Sequence, residues 1–113
     1  MPKHIILDSD PGIDDSLAIL LALASPEVVL DGISTIHGNA TTAQVTTNAL
    51  SILELAKASH VPVYKGCELP LVQPSLLAPE THGEQGIGYA KLSAPQNMPQ
   101  VQKGSDFLIE KIM

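Results

Sequence analysis

Asp8-Ser9-Asp10-Pro11-Gly12-Ile13-Asp14-Asp15 places four carboxylates within eight residues, between His4-Ile5-Ile6-Leu7 and the apolar run from Leu17 to Ala24. The short Ile-rich segment predicts a buried strand over residues 3–8. Pro11 and Gly12 predict a sharp turn. Asp14 or Asp15 is expected to cap a helix running to about Ala24, because carboxylates favour helix N-termini. That helix is apolar on nearly every face and is therefore expected to be buried. Ser25-Pro26 ends it.

The pattern repeats downstream. Val28 to Ile36 reads as a second strand, bent near Asp31-Gly32, and His37-Gly38-Asn39 as the turn after it. Thr41 or Thr42 is expected to start a helix to about Ser59. Its apolar face carries Val45, Ala49, Ile52, Leu53 and Ala56, with Thr46, Ser51, Glu54 and Lys57 on other faces. Val61-Pro62-Val63-Tyr64 reads as a third strand, and Ser105 to Met113 as a further helix. The order β-α-β-α-β implies an α/β fold with an open, mostly parallel sheet and right-handed crossovers. Residues 66–100, rich in Pro and Gly, form one long loop within this single unit of residues 1–113.

Composition removes several function classes. The net charge is −6, there is no Arg, and the aromatics are Tyr64, Tyr89 and Phe107 alone, so neither a phosphate backbone nor stacked bases find a partner. A single cysteine, Cys67, excludes an internal disulfide framework. No apolar run reaches the length of a membrane span, and Met1-Pro2-Lys3-His4 leads into too short an apolar stretch for a signal peptide. The expected location is cytoplasmic, with no nucleic-acid or membrane partner.

Two carboxylates about 4 Å apart repel by roughly 4 kcal/mol at an effective dielectric near 20. A bound cation is the simplest compensation for the aspartate run. Side chains alternate along a strand, so Asp8 and Asp10 are expected to point the same way at its carboxyl end. Asp14 and Asp15 follow at the helix start, and the second strand delivers His37 and Asn39 to the same edge. Parallel sheets bind ligands at that edge. An all-oxygen carboxylate set suits a hard cation, Ca²⁺ or Mg²⁺. The plainer alternative is that Asp14 and Asp15 only favour a helix start and Asp8 ends a strand. An EF-hand is excluded, because counting from Asp8 puts Gly12 and Ile19 where oxygen ligands belong. No glycine-rich phosphate loop follows the first strand.

The aspartate run resembles the N-terminal signature of the nucleoside hydrolases of the inosine–uridine-preferring type. The resemblance continues in register through Gly38-Asn39, Asn48-Ala49-Leu50, Pro62-Val63-Tyr64-Lys65-Gly66 and Pro70-Leu71. His82-Gly83-Glu84-Gln85-Gly86-Ile87-Gly88 is similar to that family's His-Gly-x-x-Gly-Leu-Gly segment. The resemblance implies a Ca²⁺-dependent ribonucleoside hydrolase that cleaves the N-glycosidic bond to free base and ribose. Asp10 and Asp15 would be Ca²⁺ ligands, and Asp10 also the general base for a metal-bound water. Asp14 and Asn39 would hold the ribose hydroxyls, and His82 would lie near the nucleobase. Asp8 would orient its neighbours without touching the metal. Asn48 is read as a structural polar residue, and His37 has no role. Family members are typically homo-oligomers acting on small-molecule nucleosides.

The resemblance also implies a longer domain. The expected fold is the nucleoside hydrolase sheet truncated after its first three β-α units and the active-site loop. The expected activity of the 113-residue chain is accordingly weak or nil. Two other readings compete. One is an Asp-x-Asp phosphatase, with Asp8 and Asp10 at the right spacing but Gly12 where that class uses Thr or Val. The other is a non-catalytic truncated domain that acts by assembly with a partner.

Overall fold

The computed structural model describes residues 2–38, 40–67, 95–96 and 98–112. They form β1 (Lys3–Ser9), α1 (Ile13–Ala24), β2 (Val28–Thr35), α2 (Thr42–Leu55), β3 (Val63–Lys65) and α3 (Gly104–Ile112). The three strands pair in the order β1-β2-β3, all parallel, as the β-α-β-α-β alternation requires. Most of the long loop expected over residues 66–100 lies outside the described residues.

The expected bend in β2 is a bulge. Ile5 pairs with Leu30 and Ile6 with Gly32, so Asp31 is an extra residue. The insertion resets the alternation, and Leu30 and Ile33, three apart, enter the same core. Gly32 and Ser34 then face α3. A Cβ on Gly32 would lie 2.7 Å from Phe107 Cζ, so only glycine lets the ring approach. Phe107 stacks on Tyr64 with ring centroids 3.8 Å apart. The displaced Asp31 meets His4 Nδ1 at 2.8 Å on the surface.

On the other face, Ile19 of α1 and Val45, Ala49, Ile52 and Leu53 of α2 are buried, with Ile33 and Val63 in the strands beneath. Three expectations need correction here. β1 is an edge strand rather than a buried one, because among the described residues it has a partner on one side only, and none of its residues is fully buried. α1 is not buried all round. Only Ile19 is, while Leu17 and Leu21 are 65% and 69% exposed. Apolarity on every face creates demand for partners, but three strands offer α1 a single packing surface. In α2 the polar Thr46 and Ser51 are buried along with the apolar face, and Thr46 finds at the end of β2 a partner, Thr35, that periodicity does not reveal.

α2 begins as expected, with the Thr41 side chain accepting from the Gln44 N–H at 3.2 Å. It ends at Leu55, short of Ser59, because Lys57 takes a left-handed conformation with φ 58°. Its N–H donates to the Glu54 carbonyl and that of Ala58 to the Leu53 carbonyl, a Schellman close. A left-handed non-glycine residue costs roughly 1–2 kcal/mol. Lys57→Gly is therefore expected to raise the chain's stability by about 0.5–1 kcal/mol, read as a higher urea midpoint.

Candidate functional site

β1 and β2 end together. Asp8 pairs with Ser34 and Ser9 with Thr35, and the Ile36 N–H donates to the Ser9 carbonyl at 3.0 Å. The segment after β2 therefore runs beside Asp10. Gly38 comes so close that a Cβ there would overlap the Asp10 carboxylate. Pro11 and Gly12, both buried, turn the chain back into α1. Gly12, not Asp14 or Asp15, is the N-cap residue, and it offers no side-chain cap. The Ser16 N–H donates to its carbonyl at 3.1 Å. The two aspartates lie inside the first turn instead.

That placement frees Asp15 to reach back, and its Oδ2 accepts the Asp10 N–H at 3.2 Å. The Asp15 carboxyl is held above the ordinary carboxylate range. Burial is the largest cause, followed by the hydrogen bond and repulsion from the Asp10 carboxylate, with the Asp10 N–H pulling the other way. Asp14 is exposed and adds a smaller repulsion. Asp8 engages a different partner, accepting from Ser34 Oγ at 2.6 Å. His37 follows β2, half-buried. Asn39 and His82 lie outside the described residues.

The structure thus brings Asp10 and Asp15 together and sets Asp14 beside them. Among the described residues, no group of three or more His, Cys, Asp or Glu side chains converges as a metal cage. The Asp10–Asp15 pair still fits a hard divalent cation. Both donors are carboxylate oxygens, and a cation would relieve the repulsion that raises Asp15. They supply part of the about six to eight oxygens that Ca²⁺ takes. A cavity of about 630 Å³ opens between β3 and α3, lined by Lys65, Cys67 and Lys103 among others, and none of the aspartates lines it.

Asn48, read as a structural polar residue, is one and reaches the aspartate turn, whereas the burial of Thr46 against the end of β2 was missed. Asn48 Nδ2 donates to the Pro11 carbonyl at 3.1 Å, and Thr46 meets Thr35 at 2.7 Å. Thr46 and Asn48 were the available signal, but their partners, Thr35 and Pro11, lie outside the helix.

Two results are expected. Gly38→Ala forces Asp10 aside and should weaken divalent-cation binding roughly ten-fold, measured by calorimetry, with the helical circular dichroism unchanged. The raised Asp15 carboxyl binds its proton more tightly in the folded than in the unfolded chain. Its contribution to the metal-free chain is full below the unfolded value and is lost as pH rises through the folded one. Thermal midpoints without metal should therefore show this falling component, and saturating Ca²⁺ should remove it.

The chain matches the family described as inosine-uridine preferring nucleoside hydrolase over residues 5–113. It is 50% identical over 88 residues to an inosine-uridine preferring nucleoside hydrolase of Crithidia fasciculata, covering 78% of this chain and 28% of that protein. A pyrimidine-specific ribonucleoside hydrolase of Shewanella sp. (strain ANA-3) is 41% identical over 112 residues, covering 99% of this chain and 35% of the relative. Among solved structures, a purine-preferring ribonucleoside hydrolase from Gardnerella vaginalis superposes with a TM-score of 0.91 at 36% identity, covering 97% of this chain and 36% of that one. A plant nucleoside hydrolase gives 0.89 at 40% identity, with 99% and 36% covered. The chain spans about a third of the length of these relatives.

Proposed function

The chain belongs to the inosine-uridine preferring nucleoside hydrolase family, and from that premise we propose that it carries the cation- and ribose-binding part of a site that hydrolyses ribonucleosides to free base and ribose. The observation that carries this reading is the meeting of Asp10 with Asp15 at the carboxyl edge of the sheet, beside a glycine that leaves the Asp10 carboxylate room. Asp10 and Asp15 would hold a Ca²⁺ ion. When bound, such an ion supplies charge that makes a neighbouring water easier to deprotonate. Asp10 takes the proton as the water oxygen bonds to the anomeric carbon and the carbon–nitrogen bond breaks. The sugar passes through a cation-like state, which the anionic cluster of Asp10, Asp14 and Asp15 stabilises. Asp14 and Asn39 would hold the ribose hydroxyls, and His82 would lie near the nucleobase. Asp8, tied to Ser34, orients the end of β1.

Two carboxylates leave most of a Ca²⁺ coordination sphere to other donors. By itself the 113-residue chain is expected to bind the ion and release base slowly or not at all. The deciding experiment is a chimera in which residues 1–113 replace the matching third of a solved relative. Base release that disappears with Asp10→Ala supports the reading. A folded chimera inert toward nucleosides, or one that instead cleaves phosphomonoesters with Mg²⁺, overturns it. The proposal places the chain in the cytoplasm. Among the described residues, no helix is long and apolar enough to cross a membrane.

The surface of α1 favours a second reading, a non-catalytic domain that acts by assembly with a partner polypeptide. Ile13, Leu17, Leu20 and Leu21 form one exposed stripe at helical spacing, and β1 has one edge without a strand partner among the described residues. A chain that sediments as a well-folded monomer and ignores the complementary part of a relative argues against it.

A further inference from the structure

We propose that Asn48 is a positioning residue for the aspartate turn, fixing the angle at which Asp10 and Asp15 meet. This rests on the reading of those two carboxylates as cation ligands. Pro11 is fully buried and sits between Asp10 and the N-cap of α1. A buried carbonyl without a partner is costly, so the turn settles where one is available. The donor is the Asn48 amide, at 3.1 Å and 37 residues away. Asn48 is itself only 2% exposed. Its orientation is set in turn, because its Oδ1 accepts from Gln44 Nε2 at 2.9 Å one helical turn earlier.

The contact belongs to a wider bracket. Thr46 Oγ1 donates to the Thr42 carbonyl at 2.6 Å, which leaves Thr35 as the donor in the 2.7 Å Thr35–Thr46 bond. Thr42 Oγ1 donates to the Cys67 carbonyl at 2.7 Å. The first half of α2 therefore grips the chain just beyond β1, at the end of β2 and just beyond β3. Of these contacts, the Asn48 bond alone falls on the turn that carries the carboxylates. Groups that hold metal-binding carboxylates in place typically change affinity roughly 10–100-fold when removed.

The test uses the purified 113-residue chain with Asn48→Ala, Gln44→Ala and Thr46→Ala, read by terbium luminescence and by amide NMR. Asn48→Ala should shift the Gly12 to Ser16 resonances, speed solvent exchange of the Ser16 amide, and weaken terbium binding roughly ten-fold or more. Gln44→Ala, in a half-buried position where alanine suits a helix, should do the same to a smaller degree. It decides the matter should Asn48→Ala fail to fold. Thr46→Ala removes an equally buried hydrogen bond on the same helix and should leave turn and affinity alone. Unchanged turn resonances in both Asn48→Ala and Gln44→Ala, or equal shifts in Thr46→Ala, overturn the proposal. A native chain that takes up no terbium sinks the cation-ligand reading instead, while the turn resonances still decide the role of Asn48.

Discussion

Asp10→Asn is expected to move the chain in two directions at once. Without metal, the variant should unfold at a higher temperature than the native chain. With Ca²⁺ added, the native chain should gain stability and the variant should not. The first effect follows from Asp15, whose carboxyl is raised partly by the Asp10 charge and hydrogen bond. Asparagine removes the charge and keeps the backbone N–H that Asp15 Oδ2 accepts. Both groups are partly solvated, so the relief is of the order of 1 kcal/mol or less after screening. For a domain near this size that corresponds to a few degrees. The second effect follows from mass action. A ligand at 100 times its dissociation constant stabilises the folded state by about 2.7 kcal/mol, and a chain without the site gains none of it. Differential scanning calorimetry with and without Ca²⁺ reads both. A variant destabilised in the absence of metal would show that the Asp10 carboxylate serves packing rather than a cation. In the chimera, the same substitution should cost roughly 100- to 10,000-fold in turnover, as for the loss of a general base.

Phe107→Ala should be the most damaging single substitution for the fold. Phe107 is 1% exposed, the largest fully buried side chain among the described residues, and the only aromatic in α3. Its ring lies flat on Tyr64 at 8° between planes and covers Gly32, which has no side chain to fill the space left behind. Truncating a buried phenylalanine costs about 3–5 kcal/mol through lost transfer energy and the residual cavity. Natural domains hold only about 5–15 kcal/mol in total, so α3 should detach or the whole chain unfold. Urea titration followed by far-ultraviolet circular dichroism checks this. Phe107→Leu should recover most of the loss, since a leucine refills much of the space over Gly32.

The succession of strands and helices, the parallel pairing and the bend at Asp31-Gly32 were all legible from local pattern, whereas the spatial order β1-β2-β3 was not. Short apolar runs, turn residues and helical periodicity each act over a few neighbours, so a linear reading captures them. Local alternation paired Asp8 with Asp10, whereas the contact of the Asp10 N–H with Asp15 was expected only through the family resemblance. The burial of Thr46 and Ser51 was not legible. A polar side chain on a helix reads as solvated unless its partner is known, and Thr46 finds one in Thr35 of β2. The exposure of α1 was misread for the converse reason. Periodicity reports what a helix would bury, and only the sheet decides how much surface there is to bury it against.

The sequence by itself determined the parallel α/β architecture, the cluster of carboxylates at the carboxyl edge, and membership of the nucleoside hydrolase family, because these are written in short, contiguous motifs. Tertiary structure alone decided that Gly38 leaves no room for a Cβ beside Asp10, that Ser34 is the partner of Asp8, and that Asn48 donates to the Pro11 carbonyl in the turn between Asp10 and Asp15. The physical division is one of range. Local stereochemistry fixes which groups arrive at the sheet edge, and contacts between residues 26 to 37 apart fix the geometry in which they meet.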